Sequence, residues 1–330
     1  MAQRKLVFYY AWSRPGEIGA PLPIIENRFP ALFESRRMLY PRFEEFSDPS
    51  RFDQGIGGFL DHIMKANFAD FIAQATAQTG HAVIEVERAD DDGAQIPLDG
   101  AILDASDTLI VISFDSIRTG QQASGAEIAA VRAFLDNPDH LVFVCPHHSI
   151  SDADDLSDVE RERLQEQDFF HHGDRTIPPQ QRFGGFGRSL LAGLGVPVEN
   201  RFGLRPAHAA DGSPAPIETE PKLDRLGLLN GVSTLNLHPH LPHFERLGKA
   251  VEKLGVLARQ RIDLTAPPHP FVQSGHSSFD ALLQSRPGVF AGALLIGDAT
   301  LWSSTAGGVA SLRHLWENVV RRPVVSAPKS

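Results

Sequence analysis

Histidines are the most informative chemistry-bearing residues of this chain, because many of the 14 occur in close groups. One group is the pair His147 and His148, and another is the segment 238–243, HPHLPH. Neutral imidazoles bind zinc, iron, nickel or copper, and two or three of them with a carboxylate form an open catalytic site. Side chains alternate along an extended segment, so His238 and His240 can point to the same side and hold one ion. The candidate ligands of a divalent transition metal, zinc or iron, are therefore His147, His148, His238 and His240.

The ordinary alternative is that these histidines form hydrogen bonds at strand ends and in polar loops. The single cysteine, Cys145, offers a second kind of chemistry, and because it is alone the chain has no intrachain disulfide. A thiolate at Cys145, activated by His238, can attack a carbonyl carbon. The alternative for Cys145 is a small apolar side chain that ends a buried strand. Pro146 has no N–H for an oxyanion hole, whereas a metal-activated water needs no such backbone donor.

Aromatic and acidic residues at other segment ends are candidates for substrate binding. Tyr10 and Trp12 end the first apolar segment, where they either line a pocket or belong to the core. Asp298 follows a glycine and either orients a histidine, binds a ligand or simply begins a helix. The candidate substrate-binding residues are Tyr10, Trp12, His148 and Asp298. The glycine-rich segment 183–188 lacks the spacing and the lysine of a phosphate-binding loop, so no nucleotide cofactor is expected.

These residues must be positioned by the secondary structure around them. Continuous apolar runs, typical of buried parallel strands, alternate with helical patterns along nearly the whole chain. Strands are predicted at residues 5–12, 81–87, 107–114, 140–145, 233–237, 255–260 and 292–296, and helices at residues 58–79, 124–135, 188–194 and 307–320. The alternation predicts an α/β fold with a doubly wound, mostly parallel sheet, whose carboxyl edge collects the candidate residues. We expect one elaborated domain over residues 1–330, with insertions at about 13–57 and 146–186 folded over that edge.

This order of elements resembles the class I glutamine amidotransferase-like superfamily, which has a flavodoxin-like sheet. The strand, helix and strand that lead to Cys145 resemble the part of that fold that ends in a nucleophilic cysteine. The segment 237–239, Leu-His-Pro, resembles the family's Phe-His-Pro-Glu motif, with His240 in place of the glutamate. The resemblance implies a catalytic set of Cys145, His238 and His240. The family's cysteine is flanked by glycines, but here its neighbours are valine and proline, which favours a non-amidotransferase branch.

Composition narrows the classes of function. The chain has 330 residues, 42% of them hydrophobic, which is enough to bury a core and excludes a mainly disordered protein, a collagen or a coiled coil. A net charge of −10 repels phosphate backbones, so a nucleic-acid partner is not expected. No apolar stretch approaches the roughly 20 residues that cross a bilayer, and no signal peptide is recognisable, so we expect a cytoplasmic protein without a membrane partner.

The sequence therefore predicts a small-molecule enzyme, a hydrolase acting on a C–N or similarly polarised carbon bond. Its site would be rich in histidine and would use either a bound metal or the cysteine nucleophile. The alternatives are a non-catalytic ligand-binding or assembly module on the same fold, and a lyase or hydratase. A domain of this size is also compatible with a homo-oligomer.

Overall fold

The centre of the protein is a large mixed sheet. The computed structural model describes residues 4–13, 65–89, 93–113, 121–146, 185–238, 241–266, 269–305 and 307–324, together with Ser157, Val159 and Arg163. Within these residues, the strands of the main sheet are β1 (Leu6–Ser13), β2 (Ile84–Ala89), β3 (Thr108–Ser113), β4 (Leu141–Cys145), β6 (Glu218–Thr219), β8 (Leu254–Arg261), β9 (Ser278–Ser285) and β10 (Ala293–Gly297). A separate antiparallel pair consists of β5 (Val198–Leu204) and β7 (Leu241–Arg246).

The strand order in the main sheet is β2-β1-β3-β4-β10-β9-β8-β6. The first five strands are mutually parallel, whereas β9, β8 and β6 add to β10 in antiparallel pairings. All residues of β3 and β4 are buried, which is what their continuous apolar sequences predict for strands covered on both faces. The prediction of an α/β fold with a large, mostly parallel sheet is confirmed, and the antiparallel end is an addition to it.

Helices lie over both faces of the sheet. The helices of the described residues are α1 (Lys65–Thr79), α2 (Gly100–Leu103), α3 (Gly125–Phe134), α4 (Phe186–Gly193), α5 (Ala250–Lys253), α6 (Pro270–Gln273) and α7 (Val309–Arg321), and a 3₁₀ turn spans Ala299–Trp302. On one face, Phe71 of α1 packs with Trp316 of α7; on the other, Val131 of α3 and Leu190 of α4 share a second core cluster. None of the described helices is long and apolar enough to span a bilayer.

Local sequence signals explain where several helices begin. Ser124 caps α3, and its side chain accepts a hydrogen bond from the Glu127 backbone N–H, while the Glu127 carboxylate accepts one from the Ser124 backbone N–H. This reciprocal capping box satisfies two backbone donors at the start of the helix. Helix α1 ends before Gly80, which adopts a positive φ of 73° and terminates the helix.

The predicted strand at residues 233–237 is wrong, since this segment pairs with no neighbouring strand. Several of its backbone groups bond to side chains: Ser311 Oγ accepts from the N–H groups of Ser233 and Thr234, and Gln260 Nε2 donates to the Asn236 carbonyl. The Ser233 carbonyl accepts from the Ile217 N–H, a single backbone contact that does not extend into a strand pairing. The predicted insertion at 13–57 lies outside the described residues except for residue 13, as does most of the insertion at 146–186. The single-domain organisation stays a prediction.

Candidate functional site

Cys145 is the last residue of β4 and lies inside the core at the carboxyl edge of the sheet. Its side chain is 1% exposed, and burial raises the pKa of the thiol well above its ordinary value. The negative charge of Asp298 raises this pKa further, and the neighbouring Trp302 indole only partly opposes both effects. Because the thiolate is the nucleophilic form, this environment favours the interpretation of Cys145 as a core residue.

The first residues of α4 pack against the residue that follows the carboxyl end of β4. The Gly187 N–H donates to Ser113 Oγ at 3.0 Å, and a Cβ on Gly187 would lie 3.0 Å from Pro146 Cα. The Pro146 carbonyl accepts a hydrogen bond of 2.8 Å from Asn200 Nδ2. The backbone that follows Cys145 is therefore enclosed by packing, and a side chain at position 187 would crowd it.

A chain of hydrogen bonds connects the end of β10 with the segment before His238. Asp298 Oδ1 accepts from the backbone N–H of Thr300 at 2.9 Å and from its hydroxyl at 2.5 Å. The same hydroxyl accepts from Asn236 Nδ2 at 2.9 Å, and Asn236 Oδ1 accepts from the His238 backbone N–H at 3.0 Å. We call Asp298, Thr300, Asn236 and His238 the β10 relay. It brings Asp298 and His238, 60 residues apart in the sequence, into one hydrogen-bonded network.

The β10 relay rests on a buried support. Asn236 is fully buried, and its carbonyl accepts from Gln260 Nε2 at 3.1 Å. Gly308, at the start of α7, has a left-handed φ of 65°, and a Cβ there would lie 2.4 Å from the Leu235 carbonyl oxygen. A glycine is required at this close approach. The backbone before His238 is thus fixed from two sides, while the His238 side chain itself is half-buried.

Tyr10 and Trp12 are buried, stacked rings with a centroid distance of 4.3 Å. The Tyr10 hydroxyl donates to Glu85 Oε2 at 2.7 Å, and burial, together with this carboxylate, raises the Tyr10 pKa. Trp12 Nε1 donates to Glu87 Oε2 at 2.9 Å, and Glu87 also forms an ion pair with Lys65. Because the polar atoms of both rings already bond to protein groups, the structure favours a core role for Tyr10 and Trp12, and their substrate-binding role stays a prediction.

The remaining predicted ligands, His147, His148 and His240, lie outside the described residues. Within the part of the chain that is described, no group of three or more histidine, cysteine, aspartate or glutamate side chains is close enough together to hold a metal ion. The proposed metal site therefore depends on how those three histidines lie relative to His238, and it stays a prediction.

Sequence reasoning missed a buried ion pair beneath the carboxyl end of β2. Arg88 pairs with Glu127, donates through Nε to Gln121 Oε1 at 2.6 Å, and donates to the Tyr9 hydroxyl at 3.3 Å. Burial alone would raise the Glu127 pKa, but hydrogen bonds from Ser124 and the charge of Arg88 lower it overall. Two signals were available: Arg88 directly follows a predicted strand, and Glu127 lies three residues after the start of a predicted helix. Nothing in their spacing in the sequence linked the two residues.

Comparison with known proteins leaves the chain unassigned. No protein-family model matches it, and no curated protein matches it. Among solved structures, it is similar to the exo-β-1,4-mannosidase Op5Man5 from Opitutaceae bacterium strain TAV5, with 9% sequence identity and a TM-score of 0.34. That match covers 97% of this chain but only 36% of the mannosidase, so the chain spans about a third of that enzyme's length. A TM-score this low assigns neither a fold family nor an activity.

Proposed function

We propose that this protein is a small-molecule enzyme, a hydrolase acting on a C–N or similarly polarised carbon bond, with its site at the carboxyl ends of β4 and β10. The observation that supports this proposal is the β10 relay, which fixes the segment of His238 against the end of β10. Ligands of open α/β sheets bind outside the carboxyl ends of the strands. A histidine whose backbone is held by a buried network at that edge would be available for acid–base or metal chemistry.

The proposed fold family rests on the strand order. The parallel strands follow β2-β1-β3-β4-β10, which corresponds to the 2-1-3-4-5 order of flavodoxin-like sheets. This order supports kinship with the class I glutamine amidotransferase-like superfamily. The enclosed Pro146 and the buried Cys145 support a non-amidotransferase branch within it.

In this proposal His238 acts as a base or as a ligand, and Asp298 is a positioning residue. The direction of the hydrogen bonds supports these roles: Thr300 gives its hydroxyl proton to Asp298, so its oxygen accepts from Asn236, which in turn holds the His238 backbone. A divalent transition metal, zinc or iron, would supply an activated water. Its candidate ligands are His147, His148, His238 and His240. The protonated, buried thiol supports a histidine-based route over attack by Cys145.

The test combines elemental analysis of the purified protein with three variants assayed on a panel of amides and related C–N compounds. His238→Ala should lower the rate of hydrolysis by at least about 100-fold, since a positioned acid or base contributes roughly that much. Cys145→Ala should remain active. His314→Ala is the matched control, because His314 is an exposed histidine on α7. Full activity of a folded His238→Ala variant would overturn the proposal.

A second candidate is a non-catalytic ligand-binding module on the same fold. The specific observation that favours it is the closure of the β4 terminus by Gly187 and Asn200, where the resembled family has its nucleophile. Under this alternative, no compound of the panel is turned over, and His238→Ala leaves the biological activity of the protein intact. Turnover that depends on His238 would exclude it.

A further inference from the structure

A cleft lies on the outer edge of β8, three strands away from β4 in the sheet order. It is bounded by β6, by the start of β8 and by the turn after β9, and its volume is about 590 Å³. Sites for small molecules have volumes of roughly 300–1,000 Å³. Four cationic side chains line this cleft, from four separate parts of the chain: Lys222, Arg246, Arg259 and Arg286.

Two of these arginines are held in place by one carboxylate. Arg259 Nε donates to Asp280 Oδ1 at 2.8 Å, and Arg246 Nη2 lies 3.7 Å from Asp280 Oδ2. Arg246 is also anchored through Nη1, which donates to the Leu254 carbonyl at 3.2 Å. Asp280 is only 12% exposed, while Arg259 is 44% exposed, so a buried anchor orients a guanidinium that reaches the solvent. One carboxylate cannot neutralise two guanidinium groups.

The other two cations are less restrained. Lys222 and Arg286 are exposed, and their side chains form no ion pair within the described part of the chain. The cleft also contains two carboxylates, but Glu218 lies 3.5 Å from Arg261, which is not part of the lining, and Glu220 Oε1 accepts from the Lys222 backbone N–H at 3.3 Å. Together with Asp280, these carboxylates leave the four cations of the cleft with an excess of one positive charge, on a chain whose net charge is −10.

We propose that this cleft is a binding site for a small multivalent oxyanion, an organic phosphate or a polycarboxylate. Planar guanidinium groups bind both kinds of anion with paired hydrogen bonds, and such charge-assisted bonds are the stronger class. Preorganisation by Asp280 lowers the entropy that Arg259 and Arg246 lose on binding. The site shares no residue with the β10 relay, so it stands or fails independently of the proposed hydrolase activity.

Isothermal titration calorimetry on the full chain tests the site, with pyrophosphate and citrate as separate probes. At least one probe should bind at millimolar concentration or below, and binding should weaken as salt is added. The stronger probe distinguishes a phosphate source of the anion from a carboxylate source. The double variant Lys222→Gln with Arg286→Gln should weaken binding at least tenfold, and it should fold normally because both side chains are exposed.

Two further variants complete the experiment. Arg259→Lys keeps the charge but loses the forked geometry that forms paired hydrogen bonds, so it should weaken binding severalfold. Arg313→Gln removes an exposed arginine on α7, outside the cleft, and should leave the affinity unchanged. The proposal is overturned if neither probe binds, or if the double variant binds as tightly as Arg313→Gln while both are shown by circular dichroism to be folded.

Discussion

The environment of Cys145 predicts a thiol that does not react while the protein is folded. In an unfolded chain a cysteine has a pKa of about 8.5, so about 3% of it is thiolate at pH 7. In the folded protein burial raises the pKa, and the side chain is 1% exposed, so a reagent reaches it only after the structure opens. Because β4 lies between β3 and β10 and its five residues are all buried, opening there approaches global unfolding.

The magnitude follows from the cost of that opening. Native domains are stable by roughly 5–15 kcal/mol, so an opening that frees an interior strand costs at least about 4 kcal/mol. At about 1.4 kcal/mol for each factor of ten, the thiol should be labelled about a thousandfold more slowly in the native protein than in urea. The assay is the rate of reaction with a chromogenic disulfide reagent at pH 7, followed across a urea titration.

A matched control separates the reagent from the site. The variant Cys145→Ala with Ala210→Cys places a thiol at an exposed position, and it should react as fast in buffer as in urea. A labelling rate of native Cys145 within about tenfold of the rate in the unfolded chain would contradict this prediction, because the thiol would then be open and activated. That result would restore the cysteine nucleophile as the leading hypothesis for the chemistry at this edge.

Three other predictions concern the framework. Asp139→Asn removes the carboxylate that accepts two hydrogen bonds from the buried Arg4, and it should lower the free energy of unfolding by about 3 kcal/mol in urea titrations. Asp136→Asn, at an exposed position, should change the free energy of unfolding little. Gly187→Ala forces a methyl group against the proline after β4 and should cost about 1–3 kcal/mol, whereas Gly125→Ala, with nothing within 4 Å, should not destabilise. Burial lowers the pKa of His269 to about 4 in the folded protein, so as the pH falls the imidazole is protonated in the unfolded chain before it is protonated in the folded one. The free energy of unfolding should therefore fall by up to about 3 kcal/mol between pH 6.5 and 4. His269→Asn, which keeps a capping acceptor, should flatten that part of a melting-temperature profile.

The parallel half of the sheet could be predicted from the sequence because its strands are buried on both faces. The apolar runs at 107–114 and 140–145 became β3 and β4 with ends shifted by at most one residue, apart from position 114, which lies outside the described residues. The helix predicted at 124–135 is confirmed as α3, since its capping residue and glutamate satisfy each other locally. An apolar run or a capping box lies within a single strand or helix, so it can be recognised without knowing which other elements pack against it.

The antiparallel half was predicted only in part: the strand at 255–260 is confirmed as β8, but β6 and β9 were not predicted, because their sequences carry no comparable signal. Strand β9 (SFDALLQS) includes an aspartate and a glutamine, and both are buried by partners that are distant in the sequence. Conversely, the segment 233–237 has an apolar alternation typical of a strand, yet its backbone groups bond to serine and glutamine side chains. The prediction failed there because the competing hydrogen bonds come from residues about 25 to 80 positions away.

The same distinction separates the two sites proposed for this protein. The carboxyl edge could be proposed from the sequence, since the ends of parallel strands meet at one edge whatever the neighbouring side chains are. The cationic cleft could not, because its four charges come from separate segments and its orienting carboxylate, Asp280, lies within a strand that was not predicted. Three carboxylates, Glu218, Glu220 and Asp280, lie among these cations and leave one positive charge uncompensated. The collection of the four cations around one cleft, on an otherwise acidic chain, is what the proposed oxyanion site requires.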